Sequence, residues 1–140
     1  TNVFLIRHPA RVVASFAKKY PDVAEADIGF RQQLEIYDHI FSLGQQPVVI
    51  DSNDIRDNPE VALKKLCQAI GIEWDASMLS WKKGGHSADG VWAAHWYDAV
   101  HNSDGFSSAE GPLPQLKGRL AGLVESVLPA YQKMAARKLT

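Results

Sequence analysis

The chain of 140 residues carries 15 Lys+Arg against 16 Asp+Glu, a formal net charge of −1, 46% hydrophobic residues and one cysteine. That balance fits one globular domain and excludes a disordered tail, a collagen-like repeat and a disulfide scaffold. It gives no global attraction to nucleic acid or to an anionic membrane, and no apolar run approaches the ~20 residues of a spanning helix, so an anion site has to be built locally.

Val3-Phe4-Leu5-Ile6 is a short, continuous, β-branched and aromatic run. It predicts a strand over 2–6, buried on both faces as in a parallel sheet. Pro9 suits the first turn of a helix, and Val12, Val13, Phe16 and Ala17 follow at helical spacing, predicting a helix over about 9–19. After Tyr20-Pro21-Asp22, the recurrence of Phe30, Leu34, Tyr37 and Phe41 predicts one helix over 27–43, stopped by Gly44. Pro47-Val48-Val49-Ile50 repeats the buried-strand pattern, and strand, helix, strand is the crossover of a parallel sheet, right-handed by default.

Asn58 is a good N-cap, Pro59 fits the first helical position, and Leu63, Leu66, Cys67 and Ile70 form an apolar stripe ending at Gly71. Cys67 therefore faces the core. Residues 81–114 are rich in Gly, His and Trp and read as an irregular segment, with one short helix between Val91 and Asn102. From 115 to 140, Leu116, Leu120, Leu123, Val124, Val127 and Leu128 give an amphipathic helix packed on the sheet and broken by Pro129.

Arg7 follows the first strand immediately, and ligands of open parallel sheets bind beyond the carboxyl ends of strands. A helix N-terminus there offers free N–H groups, and a guanidinium can grip a phosphate in two places. Ser15 shares the helix face of residues 8 and 11 or 12, so its hydroxyl can address the same anion, with Arg11 nearby. The spacing also allows the commoner arrangement in which Arg7 pairs with an acid such as Asp51 at the next strand end while Ser15 bonds back to the Arg11 carbonyl. His95, Asp98 and His101 recur every three residues, but such steps drift round a helix and no metal centre is expected from them.

Arg7-His8-Pro9, five residues and Ser15 resemble the Arg-x-Pro-x5-Ser element of the sulfotransferase family. The run from Val48 to Ile55, then Asn58-Pro59 and the helix to Gly71, is similar to that family's strand, acidic turn and following helix. Trp81-Lys82-Lys83-Gly84-Gly85 loosely resembles its C-terminal Arg-Lys-Gly segment, with Lys82 standing where Arg is usual. The resemblance implies an α/β fold, the three-layer parallel-sheet P-loop NTPase-like arrangement, in a single domain over 1–140 that forms its C-terminal portion. In that family, the first strand and the phosphosulfate-binding loop precede the part matched here.

It further implies 3′-phosphoadenosine 5′-phosphosulfate as co-substrate, bound at its 3′-phosphate by Arg7 and Ser15, with Lys82, Lys83 and Gly84 closing over it. The expected reaction is transfer of a sulfuryl group to a hydroxyl or amine of a small-molecule or carbohydrate acceptor, without metal, nucleic acid or membrane. The lone cysteine places the protein in the cytoplasm. Two alternatives share parts of this pattern: a nucleotide-kinase-like phosphoryl transferase, and a non-catalytic nucleotide-binding or interaction module whose 81–114 segment meets another protein.

Overall fold

β-branched and apolar residues form strands β1 (Val3–Ile6) and β2 (Val48–Asp51), which pair in parallel with Val3 opposite Val48 and Ile6 opposite Asp51. The computed structural model describes residues 1–140 apart from the side chain of Ala94. Three helices connect the strands, α1 (Pro9–Ala17), α2 (Glu25–Ile28) and α3 (Phe30–Ser42). After β2 come α4 (Ser52–Asp57), α5 (Pro59–Ile70), a 3₁₀ turn at Ala76–Leu79, α6 (Ala93–Trp96), α7 (Asp98–His101) and α8 (Gly118–Ala135). The fold is mixed α/β around a small parallel sheet.

Alternation along the strands puts Phe4, Ile6, Val49 and Asp51 on one face. Phe4, Ile6 and Val49 cluster there with Tyr37 of α3 and Met134 of α8, which form the core. On the opposite face α4 and α5 pack on β2, and Val48 and Ile50 are buried. The expectation that the first strand is buried on both sides is corrected here: Val3 and Leu5 are 42% and 56% exposed, because α5 covers β2 and not β1. The outer edge of β2 also receives the chain end, where the Leu139 N–H donates to the Val49 carbonyl over 2.9 Å.

The predicted helix over 27–43 is two helices. Gly29, at φ +62°, takes the left-handed backbone that ends α2 and starts α3, and the Ala24 N–H donates to Asp27 Oδ2 to secure the α2 entry. The apolar stripe is also shorter than expected, since Phe30 and Tyr37 are buried and Phe41 is half exposed. The expected helix between 91 and 102 divides at Tyr97 into α6 and α7.

The opposite correction applies to the last helix, which continues through Pro129. Proline removes one N–H and so frees the carbonyl four residues back. Pro129 and Glu125 both lie on the exposed side of the helix, where a freed carbonyl costs least, while buried Val127, Ala130 and Met134 anchor the helix on either side. Asn58 and Pro59 behave as their types dictate: Asn58 Oδ1 accepts from the Val61 N–H, and Gly71 closes α5 in the left-handed conformation. Among the described residues no helix is long and apolar enough to cross a membrane.

Candidate functional site

Three arginines from three elements converge on one carboxylate. Arg7 leaves the carboxyl end of β1, Arg11 projects from the first turn of α1, and Arg56 lies near the end of α4, just after β2. All three pair with Glu110, whose side chain is only 4% exposed. Arg7 Nη2 and Arg56 Nη1 both donate to Glu110 Oε1, the latter over 2.9 Å. Oε2 lies 2.9 Å from Arg11 Nε, yet no N–H is aligned with it as a hydrogen bond.

The same arginines hold the chain on either side of Glu110. Arg56 donates through Nε and Nη2 to the Ser108 carbonyl, over 3.1 and 2.6 Å, and Arg11 Nη2 donates to the Gly111 carbonyl. Burial alone raises the Glu110 pKa, but Arg7, Arg11 and Arg56 outweigh it and hold the carboxyl below the ordinary range.

A cleft of about 380 Å³ opens beside this cluster, lined by His8, Arg11, Asp51, Asn53, Glu110 and Tyr131 among others. His8 caps α1: its Nδ1 accepts from the Ala10 N–H over 3.2 Å, and its ring meets Tyr131 edge-on. An Nδ1 that accepts a backbone N–H is unprotonated, so in this arrangement the proton sits on Nε2. Burial and the Arg11 charge pull the His8 pKa down, against the opposing influence of Asp51.

Asp51, 4% exposed, N-caps α4 by accepting from the Asn53 N–H over 2.8 Å, and accepts from the Tyr131 hydroxyl over 2.8 Å. Burial, then the bond to Asp51, push the Tyr131 phenol well above its usual range. With Asp51 so committed, Arg7 does not pair with it and turns to Glu110 instead.

The sequence-predicted residues fall in two places. Arg7 lies in the arginine cluster, and Ser15 is exposed on α1 one turn beyond Arg11. Lys82, Lys83 and Gly84 line a separate cavity of about 640 Å³, walled by Trp81, Tyr97 and His101. There Lys83 Nζ stands 3.4 Å from Asp104, and His101 Nε2 lies 2.9 Å from Asp89 Oδ2. Hydrogen bonds, first from the His86 N–H and then from His101, lower the Asp89 pKa.

Arg56 and Glu110 were not singled out by sequence. Arg56 had a usable signal, because the rule that points to the carboxyl end of β1 applies equally to β2. Glu110 had none: it sits in an irregular segment 103 residues from Arg7 and 54 from Arg56.

Three guanidinium groups beyond the carboxyl ends of two parallel strands mark an α/β domain to which the comparisons then give a family. The chain belongs to the sulfotransferase domain family, whose pattern matches residues 1–138. Over 130 residues it is 38% and 35% identical to the branched-chain-amino-acid aminotransferase-like proteins 1 and 2 of Arabidopsis thaliana. The matched stretch is 93% of this chain and 23% of each relative, so the chain spans less than a quarter of their length. No solved structure matches the chain significantly.

Proposed function

We propose that this domain binds 3′-phosphoadenosine 5′-phosphosulfate by its 3′-phosphate at the arginine site. The reaction it serves is sulfuryl transfer to a hydroxyl or amine of a small-molecule or carbohydrate acceptor. The observation that carries the reading is the convergence of Arg7, Arg11 and Arg56 beyond the carboxyl ends of two parallel strands. That is where ligands of parallel sheets bind, and guanidinium forks match phosphate oxygens.

The site also passes a test of fit. It already accommodates a buried anionic oxygen pair, that of Glu110, among three cations. The donor, when bound, supplies a sulfuryl group whose bond to a phosphate oxygen breaks as a bond to the acceptor oxygen or nitrogen forms. The part assigned to this chain is binding and orientation: Arg7 grips the phosphate, Arg11 and Arg56 flank it, and the Ser15 hydroxyl donates from the next turn of α1. The family resemblance would add Lys82, Lys83 and Gly84 as further contacts; they line the second cavity, which leaves the phosphate itself to the arginines.

Helices on both sides of the parallel strands are in keeping with a three-layer P-loop NTPase-like arrangement of which this chain is part. A cytoplasmic setting belongs to the same proposal, since the chain's single cysteine asks for no oxidising compartment. Thermal unfolding tests the assignment. A ligand at a hundredfold excess over its Kd adds about 2.7 kcal/mol of stability, so 3′,5′-diphosphoadenosine raises Tm clearly more than 5′-AMP does. Equal shifts with both nucleotides would refute recognition of the 3′-phosphate.

A further inference from the structure

Glu110 is the one residue of 106–113 that is not exposed. The segment 106–117 contains no helix or strand, and the hydrogen bonds that fix 108–111 come from Arg11 and Arg56, the same side chains that surround the Glu110 carboxylate. The loop is therefore fastened by an anion placed in a cation site.

The fastening is incomplete in both charge and geometry. Three guanidinium groups face one carboxylate, which leaves two positive charges over. Of the neighbouring acids, Asp51 acts on them only through space, because its oxygens are taken by Tyr131 and the Asn53 N–H, and Asp54 is paired with Lys138 Nζ at 2.7 Å. The carboxylate offers two oxygens to three forks, so Arg7 and Arg56 share Oε1 and Arg11 faces Oε2 without an aligned hydrogen bond. A phosphate monoester dianion has one oxygen for each arginine and twice the charge.

We infer that Glu110 is a built-in, displaceable counter-ion, and that a phosphate monoester takes its place on Arg7, Arg11 and Arg56, releasing the 107–113 loop from the site. The inference rests on the reading of this site as the donor's phosphate pocket and adds two phosphate-binding residues and a competitor within the chain. Displacement is favoured because the incoming group satisfies all three forks, while the freed Glu110 returns to water instead of remaining buried without its partners. The loop then acts as a strap whose position reports whether the arginines hold an external phosphate.

The test uses the full chain and two readouts. A competitor that closes the site lowers apparent affinity by the fraction of time the site is open. Glu110→Gln, which removes the charge and keeps the shape, accordingly binds 3′,5′-diphosphoadenosine more tightly in calorimetry, by roughly tenfold if the strap is open about a tenth of the time. In the wild type, cleavage after Glu110 by a glutamate-specific protease, which needs that buried side chain released, becomes faster when 3′,5′-diphosphoadenosine is added. Weaker or unchanged binding by Glu110→Gln overturns the inference, as does slower or unchanged cleavage at Glu110.

If Glu110→Gln fails to fold by circular dichroism, the wild-type cleavage experiment decides alone. Inorganic phosphate separates the two levels of the argument. Strap opening with phosphate but no binding of 3′,5′-diphosphoadenosine keeps the displaceable counter-ion and refutes the adenosine donor. No opening with either ligand refutes the counter-ion whatever the donor is.

Discussion

Replacing Tyr131 by Phe tests whether the buried Asp51 carboxylate, which shapes the start of α4 and hence the position of Arg56, depends on its phenol partner. The Tyr131 hydroxyl donates to Asp51 Oδ2 over 2.8 Å, and the other oxygen of this 4%-exposed carboxylate is occupied by the Asn53 N–H. The substitution keeps the ring and its edge contact with His8, so the loss is confined to one hydrogen bond to a charged group, about 1.5–3 kcal/mol. At roughly 3–5 °C per kcal/mol for a chain of this length, Tm falls by about 5–15 °C.

The sign with pH follows from the raised phenol pKa. A group that holds its proton more tightly when folded contributes fully below its unfolded pKa, near 10, and loses that contribution as pH rises through the folded value. The gap between wild type and Tyr131→Phe therefore narrows above about pH 10. Melts followed by circular dichroism between pH 7 and 11 check both statements. A gap below about 0.5 kcal/mol at pH 7, or one that stays constant to pH 11, would show that water serves Asp51 as well as Tyr131 does.

Other perturbations separate binding from folding. Arg7→Lys keeps the charge and loses the planar fork, so 3′,5′-diphosphoadenosine binding weakens by about 1–3 kcal/mol in calorimetry while the fold, still held at Glu110 by Arg11 and Arg56, is retained. Ser15→Ala weakens it less, by roughly 0.5–1.5 kcal/mol, and the double mutant is non-additive if both side chains hold one phosphate. Cys67, 3% exposed with its Sγ 3.9 Å from Met78 Sδ, reacts with a thiol reagent only as fast as the protein opens; rapid labelling of the native chain would contradict its place in the core.

Local chemistry made much of this fold legible. Pro9 and Pro59 mark helix starts because a proline N–H is not missed there, and Asn58 and Gly71 bracket α5 by the same kind of backbone accounting. The elements misread are those in which packing overrides local pattern. The stripe from Phe30 to Phe41 carries no mark of where its helix begins, so periodicity does not reveal the left-handed turn at Gly29, and Pro129 reads as a break because its solvent-facing position is a tertiary fact. In the site, Arg7 was visible because strand-end position is a sequence property. Glu110 was not, because its burial is created by side chains far away in the sequence.

The meeting of the arginines is a consequence of strand register. Ile6 pairs with Asp51, so Arg7 and Ser52 leave the sheet side by side, about one strand spacing of ~4.8 Å apart. The two chains then diverge into helices, α1 from Pro9 and α4 from Ser52, whose early turns stand over the same sheet edge. Arg11, near the start of one, and Arg56, on the second turn of the other, are long enough to lean back toward Arg7. Slipping the register by one residue would turn Asp51 from Tyr131 toward the α5 side and put Ile50 in its place. The N-cap of α4 would then lose its anchor, and Arg56 would move with it. The buried Asp51–Tyr131 bond thus does more than stabilise: by fixing the end of β2 it sets the distance at which sequence-distant cations can share one anion.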